Sequence, residues 1–589
     1  MDASGTRCSP RSTLLVERAI DDREKAKNEI SMINGKHSLW FYDLTLVLGI
    51  CLLLFFRGIV ATPFFGKQEA REALVTWEID HSGNWILPLR NGDEIPAKPP
   101  LYHWLGAVVS KVANRVDEAT TRFPSAFLGT LGVLLTYAAG VALWGRSAGL
   151  VAALVLSTSF EWRQAATAAR VDMTLTFVLL CSFLFFLYLY RSGGGWKKSI
   201  FLGLLLGLAT LAKGPLGFVV PSFTVLIFLW AKRDFSFFKK LHPFTVIGVC
   251  LIVAGSWYGL ALWQGGKDFL ILVIRENFPL LLGEESGHPH GFFWYIPVFF
   301  RNMAPWSLFL LPVGAFLYRY RHRLAEEEML YVVVWFVTVF VFFSAFTQKR
   351  SVYILSLYPA AALLFGAWLQ KFKDQAFSSS FLAKLTGYLN GVSFLCVSAM
   401  LLFQTMGPGF RKYVIRSIRS EDQAQLLIVM NSVAEHRIGV LIWAALCGLG
   451  GIFLLVAVKK DAWRYIIGCT TGLMVASLFF VQDFNLSLAR KYTFKPFIDR
   501  VLPVVNGAQL FFIGSGDYPV IFYARRHIPV TRRIPGDEKA PFYLLFWENE
   551  WKQVLNKADL SLLDTSESVD GDRWEHGHLL LVAVKKPEI

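Results

Sequence analysis

The chain has 589 residues, of which 54% are hydrophobic, 15% aromatic and only 17% charged, a composition suited to a bilayer rather than to water. Its net charge of +15 does not indicate a nucleic-acid partner, because no basic motif of a nucleic-acid-binding module is present and because Lys and Arg collect in the cytoplasmic loops of membrane proteins. The composition therefore predicts a polytopic membrane protein.

Long apolar runs divide the chain into candidate spans. A mixed-charge tail, residues 1–38, lacks the basic start and small-residue cleavage site of a signal peptide, so we predict a cytoplasmic tail and a retained first span. About thirteen runs follow, two of them short for a span: Phe41–Thr62, Phe123–Leu143, Ala148–Phe160, Met173–Tyr190, Ile200–Ala212, Leu216–Trp230, Pro243–Trp263, Phe293–Phe316, Leu330–Phe346, Tyr353–Leu369, Phe381–Phe403, Ile438–Val458 and Trp463–Val481.

The first outward loop, residues 63–122, carries two predicted surface helices. Glu69, Arg71 and Glu72 fall within one or two helical turns and apolar residues follow at helical spacing, which predicts an interfacial amphipathic helix. A turn-rich stretch then sets Lys98 among prolines, directly before the short amphipathic run LYHWLGAVVSKV. Two helices joined by a stiff loop that holds Lys98 would frame a cavity at the membrane surface.

Successive spans cross the membrane in opposite directions, so each later loop can be assigned to one side of it. A cytoplasmic N-terminus places most basic clusters, such as Lys239 and Lys240, in cytoplasmic loops. The outward loop Thr405–Arg437 departs from this trend with four basic residues, which leaves a contact with an anionic acceptor or headgroup open. The second outward loop, residues 264–292, contains Glu284–His290, whose carboxylates and imidazoles suit either a metal or hydrogen bonds to a substrate.

The C-terminal residues 483–589 alternate predicted helices and strands. TFKPFIDRVLPVV and YPVIFYARR have helical patterns, whereas AQLFFIGS, APFYLLFWE and HGHLLLVAVKK are typical of strands. With no phosphate loop and no metal-ligand spacing, we interpret this segment as a substrate-shaping lid or assembly module on the outer face. The predicted fold is therefore an α-helical polytopic membrane domain, residues 39–482, with a C-terminal extracytoplasmic α/β domain.

The order of several short motifs resembles the aminoarabinose transferase and protein O-mannosyltransferase superfamily, the ArnT/PMT-like integral-membrane glycosyltransferases with the GT-C fold. The similarity runs from about the first span to the tenth. The matching pieces are Gly83-Asn84-Trp85 with Pro88, Asn91-Gly92, Lys98-Pro99-Pro100-Leu101 with Trp104-Leu105, Arg122–Ala126, Ala169–Met173, Leu211–Pro215, Trp257-Tyr258, Arg275–Phe278, and Lys349 with Tyr353.

The resemblance implies transfer of one sugar from an undecaprenyl- or dolichyl-phosphate carrier to a lipid, glycan or protein acceptor at the outer face of a membrane, here a bacterial inner membrane. A carrier of this kind keeps its phosphate at headgroup level, where cationic side chains bind it. By position, the implied carrier-phosphate ligands are Lys98, Arg71, Lys349 and Tyr353, the catalytic carboxylates Glu69 and Asp172, and the substrate-binding residues Arg170, Lys213, His288 and His290.

Two positions depart from the family pattern. Gln68 stands where the family has the proposed catalytic Asp, so either Glu69 is the base or the acceptor is already ionised and needs none. Ala97 stands where the aminoarabinose transferases have a Glu associated with a metal. We therefore expect no metal or other cofactor, with a divalent metal at Glu284–His290 as the alternative.

The sequence is compatible with two other functions. A transporter or lipid flippase predicts ionisable residues near the bilayer midplane, whereas the charges here gather in outward loops and at span ends. A non-catalytic protein derived from a transferase would account for Gln68 and Ala97 but not for the retained Glu69, Lys98 and Asp172.

Overall fold

A computed structural model describes residues 39–277, 289–319, 321, 327–374, 381–405, 436–535, 541–551, 560–569 and 577–584. Its helices are α1 (Leu39–Ala61), α2 (Lys67–Ser82), α3 (Leu101–Ala113), α4 (Glu118–Trp144), α5 (Arg146–Ser157), α6 (Phe160–Ala166), α7 (Val171–Arg191), α8 (Trp196–Lys213), α9 (Leu216–Lys232), α10 (Phe237–Lys240), α11 (Pro243–Asn277), α12 (Tyr295–Met303), α13 (Leu310–Arg319), α14 (Glu327–Ala345), α15 (Tyr358–Asp374), α16 (Phe381–Thr405), α17 (Arg437–Lys459), α18 (Trp463–Tyr492), α19 (Lys495–Val505), α20 (Tyr518–Ala524) and α21 (Glu548–Trp551). Short 3₁₀ helices cover Phe292–Trp294, Trp306–Phe309 and Ser351–Leu357.

The helices confirm the predicted fold class. Nine helical segments in the described part of the chain are long and apolar enough to cross a membrane, or ten if the pair Phe292–Met303 and Trp306–Arg319, bent by 116°, is one span. The three remaining predicted runs lie on α5, α8 and α9, which have 12, 18 and 17 residues. The predicted total of about thirteen is reached only if the bent pair and these three helices also cross.

Buried tryptophans fill the helical core, and their polar ends are satisfied locally. The indole N–H of Trp306 donates to Thr158 at 2.9 Å, and that of Trp335 donates to the carbonyl of Ser356 at 3.1 Å. Such internal partners are needed because hydrocarbon offers none.

The C-terminal segment forms the predicted α/β domain. Its five-stranded sheet has the order β2-β1-β3-β5-β4, with strands β1 (Leu510–Ile513), β2 (Val530–Thr531), β3 (Phe542–Trp547), β4 (Leu560–Val569) and β5 (His578–Val584). β1 runs parallel to β2 and β3, whereas β3, β5 and β4 pair antiparallel. The sequence predicted β1, β3 and β5 but not β2 or β4.

This domain packs against the first outward loop through α20. The Tyr523 hydroxyl accepts from the N–H of Phe64 at 2.6 Å and donates to Glu118 at 2.8 Å. The ring of His527 lies 2.7 Å from Glu78 of α2. α2 is therefore buried along most of its length, with Glu78 against this domain and Glu72 against His103 of α3. The sequence predicted an interfacial amphipathic helix and did not indicate that protein covers it on these sides.

Candidate active site between helix ends

The start of α2 is attached to the bundle by one ion pair. Arg122, in the second turn of α4, donates from Nε and Nη2 to the two oxygens of Glu69, each at 2.8 Å. The Glu69 Oε1 also accepts the N–H of Ala169 at 2.8 Å, and Nη1 of Arg122 donates to the carbonyl of Thr62 at the end of α1. Glu69 therefore connects three elements: α1 through Arg122, α4, and the segment before α7.

These contacts set the charge state of Glu69. Burial by itself would raise the pKa of this carboxyl, but the charge of Arg122, its hydrogen bonds, the N–H of Ala169 and the charge of Arg170 together outweigh burial and lower the pKa. Glu69 is consequently a firmly ionised partner of Arg122, and a weak proton acceptor while that pair stays closed.

A second ion pair forms where two antiparallel helices end. Asp172 lies in the first turn of α7 and Lys213 is the last residue of α8, positions at which helix dipoles favour an anion and a cation respectively. Lys213 Nζ contacts Asp172 Oδ1, and Arg170 Nε lies 3.2 Å from Asp172 Oδ2. Lys213 also lies over the ring of Tyr353, 4.5 Å from its centroid.

The loop that carries Lys98 is stiffened from both sides. Trp257 of α11 donates its indole N–H to the carbonyl of Ile86 at 2.9 Å. On the other side, the Asn91 amide exchanges two 2.8 Å hydrogen bonds with the backbone of Ile528 in the C-terminal domain. Together with the prolines around Lys98, these anchors fix its backbone.

Lys98 pairs with a residue on α11. Its Nζ lies 2.6 Å from Glu276 Oε2, and both side chains are about one-third exposed. Arg71 interacts electrostatically with Glu276, but its hydrogen bonds go to Glu72, to which its Nε and Nη2 donate at 3.0 and 2.7 Å. Glu72 in turn lies 2.9 Å from the ring of His103. Arg71 is thus bound to its own helix.

Three neighbouring cavities connect the predicted residues. The large one, about 460 Å³, is lined by Glu69, Arg170 and Asp172 among others. A narrow cleft beside it shares Asp172 and adds Lys213 and Tyr353, and a second cleft shares Lys213 and adds Lys98 and Glu276. Asp172 and Lys213 therefore link the large cavity to the cleft of Lys98.

Two further predicted residues lie apart from this row. Lys349 is buried and directs its ammonium to the carbonyls of Phe346 and His290, at the end of α14. The ring of His290 stacks on Trp294 with centroids 4.4 Å apart. His288 and most of Glu284–His290 lie outside the described residues, and the described part of the chain contains no group of three or more His, Cys, Asp or Glu that could hold a metal.

Sequence reasoning missed several residues of the site. Arg122 and Glu276 stand inside motifs that we quoted, but nothing in their spacing marks them as partners of Glu69 and Lys98, which are far away in sequence. Arg163 carries a usable signal, because an ionisable residue beside apolar spans is expensive and often functional. Gln482 carries no such signal. Both line the large cavity.

The sequence is similar to known families over different lengths. The model of the family described as dolichyl-phosphate-mannose-protein mannosyltransferase matches residues 97–258. An uncharacterised protein of Aquifex aeolicus (strain VF5) is 28% identical over 324 residues, 54% of this chain and 62% of that protein. An undecaprenyl phosphate-alpha-4-amino-4-deoxy-L-arabinose arabinosyl transferase of Enterobacter sp. (strain 638) is 26% identical over 438 residues, 72% of this chain and 77% of that protein.

The fold matches solved structures over nearly the whole chain. The crystal structure of ArnT from Cupriavidus metallidurans in the apo state superposes with a TM-score of 0.72 at 17% identity, covering 93% of this chain and 98% of that one. The same protein bound to undecaprenyl phosphate gives 0.71, with 92% and 97% covered. By family model, relatives and fold, the chain is thus similar to the ArnT/PMT-like integral-membrane glycosyltransferases with the GT-C fold.

Proposed function

We propose that this protein transfers a single pentose or hexose from a polyprenyl-phosphate carrier to a lipid, glycan or protein acceptor at the outer face of a bacterial inner membrane. The observation that carries the proposal is the row of neighbouring cavities with shared lining residues, which brings Lys98, Lys213, Tyr353 and Asp172 together. Two relatives are named undecaprenyl phosphate-alpha-4-amino-4-deoxy-L-arabinose arabinosyl transferases, and their names support undecaprenyl phosphate as the carrier.

In this proposal the carrier phosphate binds between Lys98 and Lys213, which line one cleft, once Lys98 has left Glu276. Glu276 neutralises Lys98 when no ligand is bound, and a phosphate would replace that carboxylate with a stronger, charge-assisted contact. As the bond between the sugar and the phosphate breaks, negative charge grows on the departing phosphate. Two ammonium groups in a partly dry cleft would stabilise this charge more than they stabilise the bound donor.

Asp172 is the better candidate for the base, if the acceptor is a hydroxyl. It lines both the large cavity and the Tyr353 cleft, so it faces the space where sugar and acceptor would meet. Glu69 lines the large cavity but not the Tyr353 cleft, and both of its oxygens are bound to Arg122. The oxygens of Asp172 contact Lys213 and Arg170, so its action as a base requires one of these contacts to open. We therefore assign Glu69 a positioning role for the start of α2. An acceptor that is already ionised would need neither carboxylate as a base.

Replacement of Lys98 tests this function. In vesicles containing the purified protein, an undecaprenyl-phosphate-linked aminoarabinose and a cell-envelope extract as the source of acceptor, Lys98→Gln should lower the rate at which sugar transfer releases undecaprenyl phosphate by roughly 10²–10³, as expected for losing one charge-stabilising group. Lys111→Gln is the matched control, because Lys111 is an exposed residue of the adjacent α3 that lines none of the three cavities. An unchanged rate in Lys98→Gln would overturn the assignment.

A companion measurement identifies the acceptor. Mass spectrometry of glycolipids, glycans and exported proteins from cells with and without this chain should reveal one missing mass that names both sugar and acceptor. If the purified protein binds undecaprenyl phosphate but no donor is consumed and no mass changes, the non-catalytic alternative is correct.

The orientation belongs to the same proposal. The positive-inside trend supports an N-terminus in the cytoplasm. The contacts of Tyr523 and His527 keep the C-terminal domain beside α2, which supports a periplasmic or extracellular domain that covers the site.

A further inference from the structure

A strongly basic surface lies at the end of the helical bundle opposite the candidate active site. α8 runs from Trp196 to Lys213, the lysine that contacts Asp172. Its 18 residues rise by about 27 Å, which is close to the ~30 Å hydrocarbon core of a bilayer. With Lys213 near one headgroup region, the start of α8 therefore lies near the other.

Two loops at this end are joined through their backbones. Gly195, which precedes α8, donates its N–H to the carbonyl of Lys240, the last residue of α10, at 3.1 Å. Gly194 lies so close to α10 that an added Cβ would be 2.7 Å from the Lys240 carbonyl oxygen. This contact holds the loop between α7 and α8 beside the loop between α9 and α11, so their side chains form one surface.

The charge of this surface is almost entirely positive. Asp234 is the only carboxylate between residues 191 and 242, and it accepts hydrogen bonds from Ser236 at 2.7 Å and Tyr190 at 3.0 Å. Glu328 of α14 lies 3.2 Å from Arg191. The Lys and Arg residues at these helix ends, which we call the basic patch, are Arg191, Lys197, Lys198, Lys232, Arg233, Lys239 and Lys240.

Three lysines of the basic patch are available to a ligand. Lys197, Lys239 and Lys240 have exposed side chains, and within the described part of the chain no carboxylate forms an ion pair with them. Lys197 lies over the ring of its neighbour Trp196, 5.8 Å from the centroid. A partner with negative charge can thus reach all three ammonium groups without breaking an ion pair of the protein.

Exposed aromatic side chains border the basic patch. Trp196 at the start of α8 and Trp230 in the last turn of α9 are exposed. Phe235 and Phe238 are exposed as well, whereas Phe237 between them is buried in the helical core. Aromatic rings beside basic side chains are typical of the boundary between the hydrocarbon and the headgroups of a bilayer.

We propose that the basic patch binds the headgroups of anionic phospholipids in the leaflet opposite the candidate active site. Clustered Lys and Arg side chains next to a span attract negatively charged headgroups at short range. The aromatic rings keep the patch at the depth where the lipid phosphates lie. A free anion would gain the charge interaction but not the contact with the rings, so the patch favours a lipid. This binding is independent of the proposed transferase function.

Thermal unfolding of the full-length protein in a non-ionic detergent tests the basic patch. Dioctanoyl phosphatidylglycerol should raise the Tm, whereas dioctanoyl phosphatidylcholine and free glycerol phosphate should not. The triple variant Lys197→Gln/Lys239→Gln/Lys240→Gln should weaken the apparent affinity for phosphatidylglycerol by roughly 10²-fold, because each basic side chain near an anionic surface contributes a factor of about five. Lys98→Gln should respond as the wild type does, which would exclude the cleft of Lys98 as the origin of the effect.

The matched control removes three exposed charges from another loop at the same end of the bundle. α18 starts at Trp463 in this loop and ends beside the C-terminal domain. The triple variant Lys459→Gln/Lys460→Gln/Arg464→Gln should keep the phosphatidylglycerol affinity of the wild type within about twofold, because these side chains are exposed but lie outside the basic patch.

Each remaining outcome supports or overturns the proposal. Equal losses of affinity in the two triple variants, or an unchanged affinity in the patch variant, would refute it. A Tm rise with glycerol phosphate as large as that with the lipid would indicate a site for free anions instead. If the patch variant does not fold, Lys239→Gln/Lys240→Gln decides, since it should lose about 25-fold in affinity. Replacing the same three lysines by Arg should preserve binding, because the positive charges remain.

Discussion

At the scale of single residues, the site is built from ion pairs whose partners come from different elements. Glu69 holds Arg122, Asp172 holds Lys213 and Arg170, and Glu276 holds Lys98. Each pair offsets the cost of keeping a charge partly out of water. The pairs differ in use, because Glu276 is exposed enough to give up Lys98 to a ligand, whereas Arg122 is nearly inaccessible.

Breaking the buried Glu69–Arg122 pair should therefore lower the stability of the fold, rather than remove a group that takes part in the reaction. We expect Glu69→Gln to lower the free energy of unfolding by about 3–5 kcal/mol, because it leaves the Arg122 guanidinium buried without its carboxylate. Lys384→Gln is the control, since its pair with Asp461 is one-third exposed on both sides and is worth about 0–1 kcal/mol. Thermal unfolding of both variants in one detergent gives the comparison; equal losses would contradict the positioning role.

The stability difference between the wild type and Glu69→Gln should also depend on pH. Because the pKa of Glu69 in the folded protein is lowered below its ordinary value of 4.5, its contribution to stability is complete above about pH 4.5. That contribution disappears as the pH falls through the lower, folded pKa. The difference in stability between the wild type and Glu69→Gln should thus shrink on acidification, and a difference that grows would refute this assignment.

At the scale of elements, the turn between α8 and α9 decides where Lys213 lies. Gly214 ends α8 with a φ of +82°, and Pro215 follows to start the next helix. The positive φ lets the chain reverse directly after the lysine, so that its ammonium meets Asp172 and Tyr353. The Leu211–Pro215 motif thus positions the ammonium group of Lys213.

Substituting that glycine should affect both fold and activity. Gly214→Ala places a side chain at positive φ and a Cβ only 2.8 Å from Asn277 Oδ1, so we expect a loss of about 1–2 kcal/mol and a slower transfer as Lys213 shifts. Gly468→Ala is the matched control, because nothing lies within 4 Å of its added Cβ and helical Ala is favoured over Gly. Equal behaviour of the two variants would show that the turn is not strained by a side chain.

At the scale of the whole molecule, the contacts of the C-terminal domain constrain the topology. α1 crosses before α2 begins, and the domain packs on α2 through Tyr523 and His527. The domain therefore lies on the same side of the membrane as α2, which the chain reaches after its first crossing. For the chain to end on that side, the number of crossings from α1 to α18 must be odd. The nine long segments alone satisfy this, and so do all thirteen predicted runs.

Cysteine labelling tests which side this is. In a chain whose seven native cysteines are replaced, Thr565→Cys on β4 should react with an impermeant maleimide in spheroplasts. Lys197→Cys, an exposed position at the start of α8 that we predict to be cytoplasmic, should react only after lysis. The reverse pattern would invert the proposed orientation.

The sequence by itself determined the class of the protein and most of its elements, because apolar run length and helical or alternating periodicity are local properties of the chain. It also singled out Lys98, Asp172, Lys213 and Tyr353, which the fold brings into one row of clefts. Their roles in the reaction remain predictions.

Only the tertiary structure determined which charged residues pair with each other. Glu69 with Arg122 and Lys98 with Glu276 are 53 and 178 residues apart, and no local pattern encodes contacts at such separations. Nor does periodicity reveal that another domain covers a helix, which is why α2 has the pattern of a surface helix and is nevertheless buried. The same reason hid Gln482, because which side chains line a cavity depends on every element that the fold brings to it.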